Sequence, residues 1–503
     1  MKLVLDKPVT VAQGLTLEEA DWGPWQFPQL LKREDGVLFA SINLGPDNWE
    51  SYGDTLWYKS SDNGRTWTDS NPSEAATAYP KAKNGDGFMA KDRGYVDIDP
   101  KLLEGIEPKH VLNFDDKPFF DYYLYSDLRP GTIDTSVMFM RLKKGETEQE
   151  GFCPKVTDNP GLCIVRPSGT DKLLPNKMFG RLRVAPDGSL WQMHYDRGFF
   201  DGKFCDTFIA YYYRSDDNGE TWSLVSRLDP RTNPGACYYC EQDIAWIDDS
   251  HAVTSLRANG LYTAVSDDGG YTWSTPKKTA DFGVDPALCV LKCGAMLMTY
   301  GRPGFLVRPC FDGKGERWEE PIEIISTGNN AYKMNDPSKA GNASEWGTCS
   351  YSDIVPISDN EALIVYSDFY VPDEKGIKRK SLMVIKATVT DRGRTSFSHP
   401  VRASFNREDK RASRSGLFRF AAGGFFNVFF ADFIFRPALC QSASGFFFLP
   451  ITICESTIPQ NISTQPPIAG GVIFSCRISA PPIAAQTDSV ERTIDAAVGS
   501  ASR

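Results

Sequence analysis

Residues 60–67 read SSDNGRTW, and nearly the same spelling returns as SDDNGETW at 215–222 and as SDDGGYTW at 266–273. The three copies share Ser, Asp, Gly, Thr and Trp at the same spacing. Asp and Asn side chains cap backbone amides, Gly supplies a positive φ, and Trp anchors the strand that follows. The pattern therefore predicts one tight turn that the chain uses three times.

The spacing of these turns indicates a repeat of about fifty residues. The central aspartates stand at 62, 217 and 268, so the last two are 51 residues apart and the first gap of 155 is close to three such periods. A weaker copy, DGKGERW at 312–318, follows 44 residues later. Periods of this length are typical of solenoids and propellers, and the content of each unit decides between them.

The segments between the turns are predicted to be strands. GVLFASINL (36–44), GSLWQMHYD (188–196) and EALIVYSDF (361–369) are short and rich in β-branched and aromatic residues. Since no window sustains a 3.6-residue period, helical repeats are disfavoured. We predict an all-β, six-bladed β-propeller over residues 1–395. Its blades are expected at 24–75, 90–150, 176–230, 240–280, 284–325 and 347–392, with segment 100–175 carrying insertions.

The chain changes character after about residue 395. The stretch RFAAGGFFNVFFADFIFRPALC (419–440) is crowded with Phe, yet it shows neither strand alternation nor helical periodicity. Asn427 and Asp432 interrupt it, which argues against a membrane span. The rest is rich in Pro, Ser, Ala and Thr. Residues 396–503 are predicted to be an irregular or disordered tail, and an altered reading frame is a second hypothesis for it.

Composition excludes some classes of function. The net charge of −10 argues against a nucleic-acid partner, because the chain offers no surplus of cations to phosphates. Twelve scattered cysteines and four histidines favour reduced thiols and predict neither a metal nor a cofactor. The N-terminus has no apolar signal core, so the sequence as written is expected in the cytoplasm, or secreted or periplasmic if a leader is missing.

The motif S-x-D-x-G-x-T-W is the Asp box, and its recurrence in a chain of six strand-rich units resembles the sialidase (neuraminidase) superfamily. The resemblance implies a BNR-repeat propeller with the Asp boxes on its rim and the active site elsewhere. It also implies an exo-alpha-sialidase-like glycoside hydrolase that acts with retention. Such enzymes use Tyr as the nucleophile, because a carboxylate would be repelled by the carboxylate of the substrate.

The family pattern transfers to individual positions of this chain. In CSYSDIVPISDNEALIVYSD (349–368), Tyr351 matches the nucleophile, and Glu241, which opens EQDIAWI, matches its base. Arg257, sixteen residues after Glu241, and Arg302 match two clamps for the substrate carboxylate, with Arg308 a competitor for Arg302. Asp54, six residues before Ser60, matches the acid/base.

One position departs from the family. The first blade of these enzymes carries an Arg two residues before a Pro, whereas this chain reads WQFPQLL with Gln26 in that place. Gln can bind an oxygen but brings no charge. Losing a charge-assisted pair costs about 1.5–3 kcal/mol, so the resemblance leaves the substrate open.

Three readings follow. The leading one is a sialidase-like glycosidase for a terminal acidic sugar, with Trp25, Trp346 and Tyr300 as stacking surface. The second is a propeller glycosidase or lyase for another acidic saccharide such as a uronate, with Gln26 and His194 reflecting the altered chemistry. The third is a non-catalytic propeller that binds glycans or proteins.

Overall fold

The computed structural model describes residues 1–20, 22–47, 54–91, 94–114, 116–124, 127, 137–157, 163–174, 178, 180–200, 203–328 and 346–391. The described residues are almost entirely strands and turns, so the all-β prediction is confirmed. The predicted tail 396–503 lies outside the described residues.

Three sheets are simple four-stranded antiparallel meanders, in which each strand pairs with the next along the chain. Their central strands are buried at nearly every position, as expected for sheets that are covered on both faces. The first sheet comprises β3 (Gln26–Lys32), β4 (Leu38–Asn43), β5 (Thr55–Ser60) and β6 (Thr68–Ser70). The second comprises β20 (Cys240–Trp246), β21 (Ala252–Ala258), β22 (Gly260–Ser266) and β23 (Lys277–Ala280). The third comprises β24 (Val284–Val290), β25 (Met296–Gly301), β26 (Phe305–Cys310) and β27 (Ile322–Ile325).

Two five-stranded sheets extend the same meander with strands from elsewhere in the chain. One comprises β16 (Leu182–Val184), β17 (Leu190–Phe200), β18 (Lys203–Ser215) and β19 (Thr221–Leu228), with β13 (Lys155–Thr157) parallel to β19. The other comprises β28 (Ser352–Pro356), β29 (Glu361–Pro372) and β30 (Lys378–Thr390), with β1 (Lys2–Leu5) and β2 (Val9–Gln13) both antiparallel to β30.

Smaller sheets occupy the region in which the sequence predicts an irregular unit with insertions. One comprises β7 (Gly87–Lys91), β11 (Met138–Leu142) and β12 (Glu150–Phe152). A second comprises β9 (His110–Phe114), β10 (Lys117–Leu124) and β14 (Cys163–Pro167), and a third pairs β8 (Val96–Asp97) with β15 (Lys172–Leu173). The helical elements whose bounds the structure describes are short: α1 (Pro72–Ala76) and the 3₁₀ turns Pro100–Leu103 and Pro230–Thr232.

The three related turns form the same hydrogen bonds. In the first, the Ser60 hydroxyl donates to Asp62 Oδ1 over 2.8 Å and accepts from Gly64 N over 3.0 Å, while the Thr66 hydroxyl donates to Asp62 Oδ2 over 2.7 Å. The turns at 215–222 and 266–273 repeat this arrangement. Asn63, Asn218 and Gly269 follow Asp62, Asp217 and Asp268 directly, and all three adopt a positive φ.

Apolar side chains fill the space between neighbouring sheets. Strands β17, β20, β24, β28 and β3 each contact the next in this order. Between β26 and β29, for example, the rings of Phe305 and Tyr366 stack with centroids 5.0 Å apart. Hydrogen bonds between neighbouring sheets accompany this packing. Asp243 on β20 accepts from Leu288 N on β24, and Asp353 on β28 accepts from Leu30 N on β3. The arrangement aligns the amino ends of β3, β20, β24 and β28.

Candidate active site

The site is built where these four strands begin, on residues with unusual backbone angles. Phe27, Glu241, Asp285 and Ser350 have φ of 57°, 48°, 40° and 63°, the left-handed region that is uncommon for residues other than Gly. In β3, β20 and β24 the position coincides with a shift in the pairing register. Such bulges redirect a side chain at the end of a strand and are frequent beside active sites.

Glu241 and Tyr351 meet here, although 110 residues separate them in the chain. The Tyr351 hydroxyl donates to Glu241 Oε1 over 2.5 Å, and Arg257 Nη1 donates to the same oxygen over 2.9 Å. The other oxygen, Oε2, accepts from Asp285 N over 2.9 Å. Glu241 and Arg257 are each 4% exposed and Tyr351 is 2% exposed. A buried carboxylate therefore holds a buried phenol and a buried guanidinium.

Burial sets the protonation state of the phenol. Desolvation raises the pKa of Tyr351 well above its ordinary value, the negative charge of Glu241 raises it further, and Arg257 and Arg302 oppose the shift. Tyr351 is consequently a neutral hydrogen-bond donor in the free protein. Its proton can leave only toward an acceptor already in contact with it, and Glu241 Oε1 is such an acceptor.

Arg302 packs against the Tyr351 ring and two tryptophans. Its guanidinium carbon is 5.0 Å, 4.9 Å and 5.5 Å from the ring centroids of Trp22, Trp346 and Tyr351, and Nη2 donates to Cys349 O over 2.8 Å. Desolvation lowers the pKa of Arg302 and the nearby charge of Arg257 lowers it further, while the carboxylate of Glu241 opposes the shift. The competing Arg308 lies elsewhere: it donates to Thr279 O and sits 6.0 Å from the ring centroid of Tyr300.

Gln26 is fully buried at the start of β3. Its Oε1 accepts from Gly23 N over 3.2 Å. Its Nε2 has no acceptor among the residues that the structure describes. The next residue, Phe27, contacts Tyr351 edge to face with centroids 4.9 Å apart. The amide of Gln26 is therefore a buried donor next to the wall of the site.

Asp54 is exposed and immediately precedes β5. Its carbonyl accepts from Leu44 N over 2.9 Å. The pairing of Asn43 with both Gln26 and Thr55 places Asp54 at the same end of the sheet as Gln26. No hydrogen bond or ion pair between Asp54 and the cluster around Tyr351 is present among the described residues. Four of the six predicted site residues therefore form one cluster: Glu241, Arg257, Arg302 and Tyr351. Gln26 adjoins this cluster through Phe27, and Asp54 lies outside it.

The aromatic surface differs from the prediction. Trp22 contacts Arg302, whereas Trp25 packs in the core between the first and last sheets. Trp346 contacts Arg302 as expected, but Tyr300 is buried between the sheets of β20–β23 and β24–β27. His194 is also buried, with Nε2 3.9 Å from Asp196 Oδ2 and its ring stacked on Tyr211. The sequence signal for Trp22 is indistinguishable from that for Trp25, because only the fold separates them.

The sequence did not point to two further arginines, Arg181 and Arg183, which bind aspartates near Glu241. Arg181 Nη2 is 2.8 Å from Asp285 Oδ2, and Arg183 binds Asp243 through both Nε and Nη2 at 2.9 Å and 2.8 Å. Desolvation alone would lower the pKa of each arginine, but the neighbouring carboxylates raise it, so both remain charged. Neither belongs to a recognisable motif in the sequence.

The comparisons with known proteins concern the fold. No protein-family model matches the chain, and no curated protein sequence matches it. A crystal structure of a protein of unknown function from Dyadobacter fermentans DSM 18053 is 18% identical, with a TM-score of 0.52, and the match covers 77% of this chain and 99% of that one. At this identity the similarity shows the fold alone.

Sialidase structures also match, at lower scores. The Hadza microbial sialidase Hz136 is 14% identical, with a TM-score of 0.43 and coverage of 71% of this chain and 65% of that one. A mutant of the NanB sialidase from Streptococcus pneumoniae is 14% identical, with a TM-score of 0.38 and coverage of 75% and 70%.

In the part of the chain that the structure describes, no helix is long and apolar enough to cross a membrane.

Proposed function

We propose that this protein is a retaining glycosidase on a six-bladed propeller, similar to exo-alpha-sialidases, that removes a terminal acidic sugar. The observation that carries the proposal is the 2.5 Å hydrogen bond from the Tyr351 hydroxyl to Glu241 Oε1. A buried phenol paired with a buried carboxylate is an activated nucleophile in the free enzyme. Two buried arginines beside it suit a substrate that carries its own negative charge.

Tyrosine suits such a substrate because it is neutral before it reacts. In the proposed first step the Tyr351 oxygen bonds to the anomeric carbon as the glycosidic C–O bond breaks. The phenolic proton passes to Glu241 Oε1, and Asp54 protonates the leaving oxygen. In the second step Asp54 takes a proton from water, whose oxygen displaces Tyr351, and Glu241 returns the proton to the phenolate. Two inversions give net retention.

Binding of the substrate carboxylate is assigned to Arg257 and Arg302, with the amide of Gln26 as a neutral donor. Arg257 already binds Glu241 Oε1, so its charge serves both the base and the substrate. Gln26 has a buried N–H without an acceptor in the described structure, which a ligand oxygen would satisfy. The energetic reason for an acidic ligand is that the arginines are desolvated before it arrives.

Sheet topology supports the propeller. The strands that open neighbouring sheets contact one another in sequence order, and the last sheet gains β1 from the start of the chain. Four-stranded antiparallel meanders that are joined in this way are the blades of propellers. The three turns at 60–67, 215–222 and 266–273 each connect the last two strands of their sheets.

A second candidate is a glycosidase or lyase for a different acidic saccharide, such as a uronate. The observation in its favour is Gln26, which replaces a charged clamp with a neutral donor. With Gln26 in place of a third arginine, fewer positive charges surround the ligand carboxylate, and such a site suits an acidic saccharide that needs a weaker grip on its carboxylate. The two candidates share the cluster around Tyr351 and differ only in substrate.

The test is release of 4-methylumbelliferone from its sialic acid glycoside, beside a panel of uronate glycosides. We expect wild-type turnover on one acidic glycoside and a loss of about 10³-fold or more in Tyr351→Phe. Tyr366→Phe is the matched control, because Tyr366 is also a buried tyrosine but lies in an apolar core cluster. Turnover unaffected by Tyr351→Phe would remove Tyr351 from the mechanism. Binding of an acidic sugar without turnover of any glycoside would support the non-catalytic reading instead.

A further inference from the structure

Arg181 connects the start of β28, directly after Tyr351, to Asp285 on β24, which in turn binds Glu241 on β20. Its Nη2 donates to the Ser352 carbonyl over 2.5 Å, directly after Tyr351 in the chain, and to Asp285 Oδ2 over 2.8 Å. Its Nη1 donates to Asp285 Oδ1 and to Pro286 O over 3.3 Å and 3.2 Å. A single planar guanidinium thus binds β24 and β28 together, and only 13% of its side chain is exposed.

Asp285 transmits this contact to Glu241. Its backbone N–H donates to Glu241 Oε2, while its carboxylate is held by Arg181. The residue has φ of 40°, a conformation that Asp tolerates better than most residues but that needs support from its surroundings. The grip of Arg181 on the side chain is such support, because it fixes where the N–H points.

Arg183 offers a direct comparison within the same fold. It is two residues away and forms an ion pair of the same length, 2.8 Å, with Asp243. Its carboxylate partners Asp243 and Asp353 accept from Leu288 N and Leu30 N, respectively, and both of these donors lie within strands. Arg183 thus stabilises contacts between sheets. Arg181 Nε also lies 3.6 Å from Asp353 Oδ1, but the hydrogen bonds of Arg181 go to the residues that adjoin Glu241 and Tyr351.

We infer that Arg181 and Asp285 form a positioning pair that holds Glu241 and Tyr351 at hydrogen-bond distance. The inference rests on the proposed function for its catalytic consequence, since neither residue is assigned a contact with the substrate. The guanidinium fixes the carbonyl after Tyr351 and the carboxylate of Asp285, and Asp285 N fixes Glu241 Oε2. A displacement of about 1 Å in such a geometry reduces a rate by about 10²-fold.

The experiment compares Arg181→Lys and Asp285→Asn with Arg183→Lys in the full chain. Lysine keeps the charge of Arg181 but cannot bind both strands with one planar fork. Asparagine keeps the shape of Asp285 and loses the anion that Arg181 holds. We expect kcat on the acidic glycoside to fall about 10- to 100-fold in the first two variants, with KM changed less than about threefold. Arg183→Lys is expected to lower the melting temperature while the folded protein keeps kcat within about threefold.

A second readout does not depend on turnover. With 3-fluorotyrosine placed at position 351 alone, the ¹⁹F resonance reports the hydrogen bond of the phenol. The resonance should shift in Arg181→Lys and in Asp285→Asn and stay in place in Arg183→Lys. If wild type cleaves no acidic glycoside, the proposed function fails and the ¹⁹F comparison still decides the positioning role. An unchanged resonance in both variants, or an equal shift in Arg183→Lys, would overturn the inference.

Discussion

Glu241 binds three donors with two oxygens, which ties its charge to the stability of the site. Oε1 accepts from Tyr351 and Arg257, and Oε2 accepts from Asp285 N. A buried carboxylate is tolerated only when its charge is compensated in this way. At the scale of single residues, the site is therefore one ionic unit with the phenol attached to it.

The first prediction separates the charge from the phenol. Glu241→Gln leaves the buried guanidinium of Arg257 without the carboxylate that it binds, so we expect a loss of roughly 3–5 kcal/mol in the free energy of unfolding. Tyr351→Phe removes one hydrogen bond and is expected to cost about 0.5–1.5 kcal/mol. Urea unfolding at pH 7 measures both. Equal losses in the two variants would contradict the ionic account of the cluster.

The three related turns show that a local pattern fixes hydrogen bonds but not burial. Trp222 is fully buried and stacks on Phe139 with centroids 5.2 Å apart, whereas Trp67 and Trp273 are half-buried. The indoles of Trp67 and Trp222 donate to the carbonyls of Gly64 and Gly219, but that of Trp273 donates to the Ser226 hydroxyl. Neighbouring sheets differ around each turn and account for the difference.

The second prediction concerns pH and the first turn. Hydrogen bonds, chiefly from the Thr66 hydroxyl, lower the pKa of Asp62 from 3.8 to about 2. A carboxyl whose pKa is lower in the folded state stabilises that state above its unfolded pKa, and the contribution is lost as pH falls from about 4 to about 2. We expect Asp62→Asn to cost about 0.5–1 kcal/mol at pH 7, since solvent screens this partly exposed group, and much less near pH 2, where the folded carboxyl is about half protonated.

The control for this prediction is Asp267→Asn in the third turn, whose side chain is 88% exposed. It removes the same charge at a position that does not accept the hydrogen bonds of the turn. Thermal unfolding from pH 2 to pH 7 should give a pH-dependent difference for Asp62→Asn alone. A difference that is independent of pH would show that the carboxylate is not the source of stability.

At the scale of the whole molecule, the first strands of the chain, β1 and β2, pair with β30 in the last sheet. Lys2 to Leu5 pair with Thr390 to Ala387, so β1 lies beside β30. Leu3 belongs to the core cluster shared by β24–β26 and β28–β30, while Val4, on the opposite face of the strand, is 40% exposed. The pairing hides the edge of β30 and joins the two ends of the described chain.

The third prediction uses the alternation of β1. Leu3→Asp places a carboxylate among apolar side chains and is expected to cost at least about 2–3 kcal/mol in the free energy of unfolding. Val4→Asp changes an exposed neighbour and is expected to stay within about 0.5 kcal/mol. Guanidinium unfolding of the two variants measures the difference. Similar values for both would argue that β1 does not contribute to the sheet.

Part of this organisation is readable in the sequence. The turns, the short strands and the boundaries of the regular units at 240–280 and 284–325 follow from period-2 alternation and turn chemistry. The joining of β1 to the last sheet, the parallel strand β13 and the redirection at Glu241 and Asp285 have no local signal. These features depend on partners more than sixty residues away or on a bulge that a neighbouring strand imposes.

The sequence alone determined the turns, because their hydrogen bonds join residues at most four or five positions apart. It also indicated the strands, through the backbone preferences of β-branched and aromatic residues. Family resemblance pointed to Glu241, Arg257, Arg302 and Tyr351 as candidates, but their contacts depend on packing between sheets. Only the tertiary structure decided that Trp22 rather than Trp25 flanks Arg302 and that Arg181 binds Asp285, whose N–H contacts Glu241. The physical reason is that burial and long-range hydrogen bonds arise when separate sheets meet.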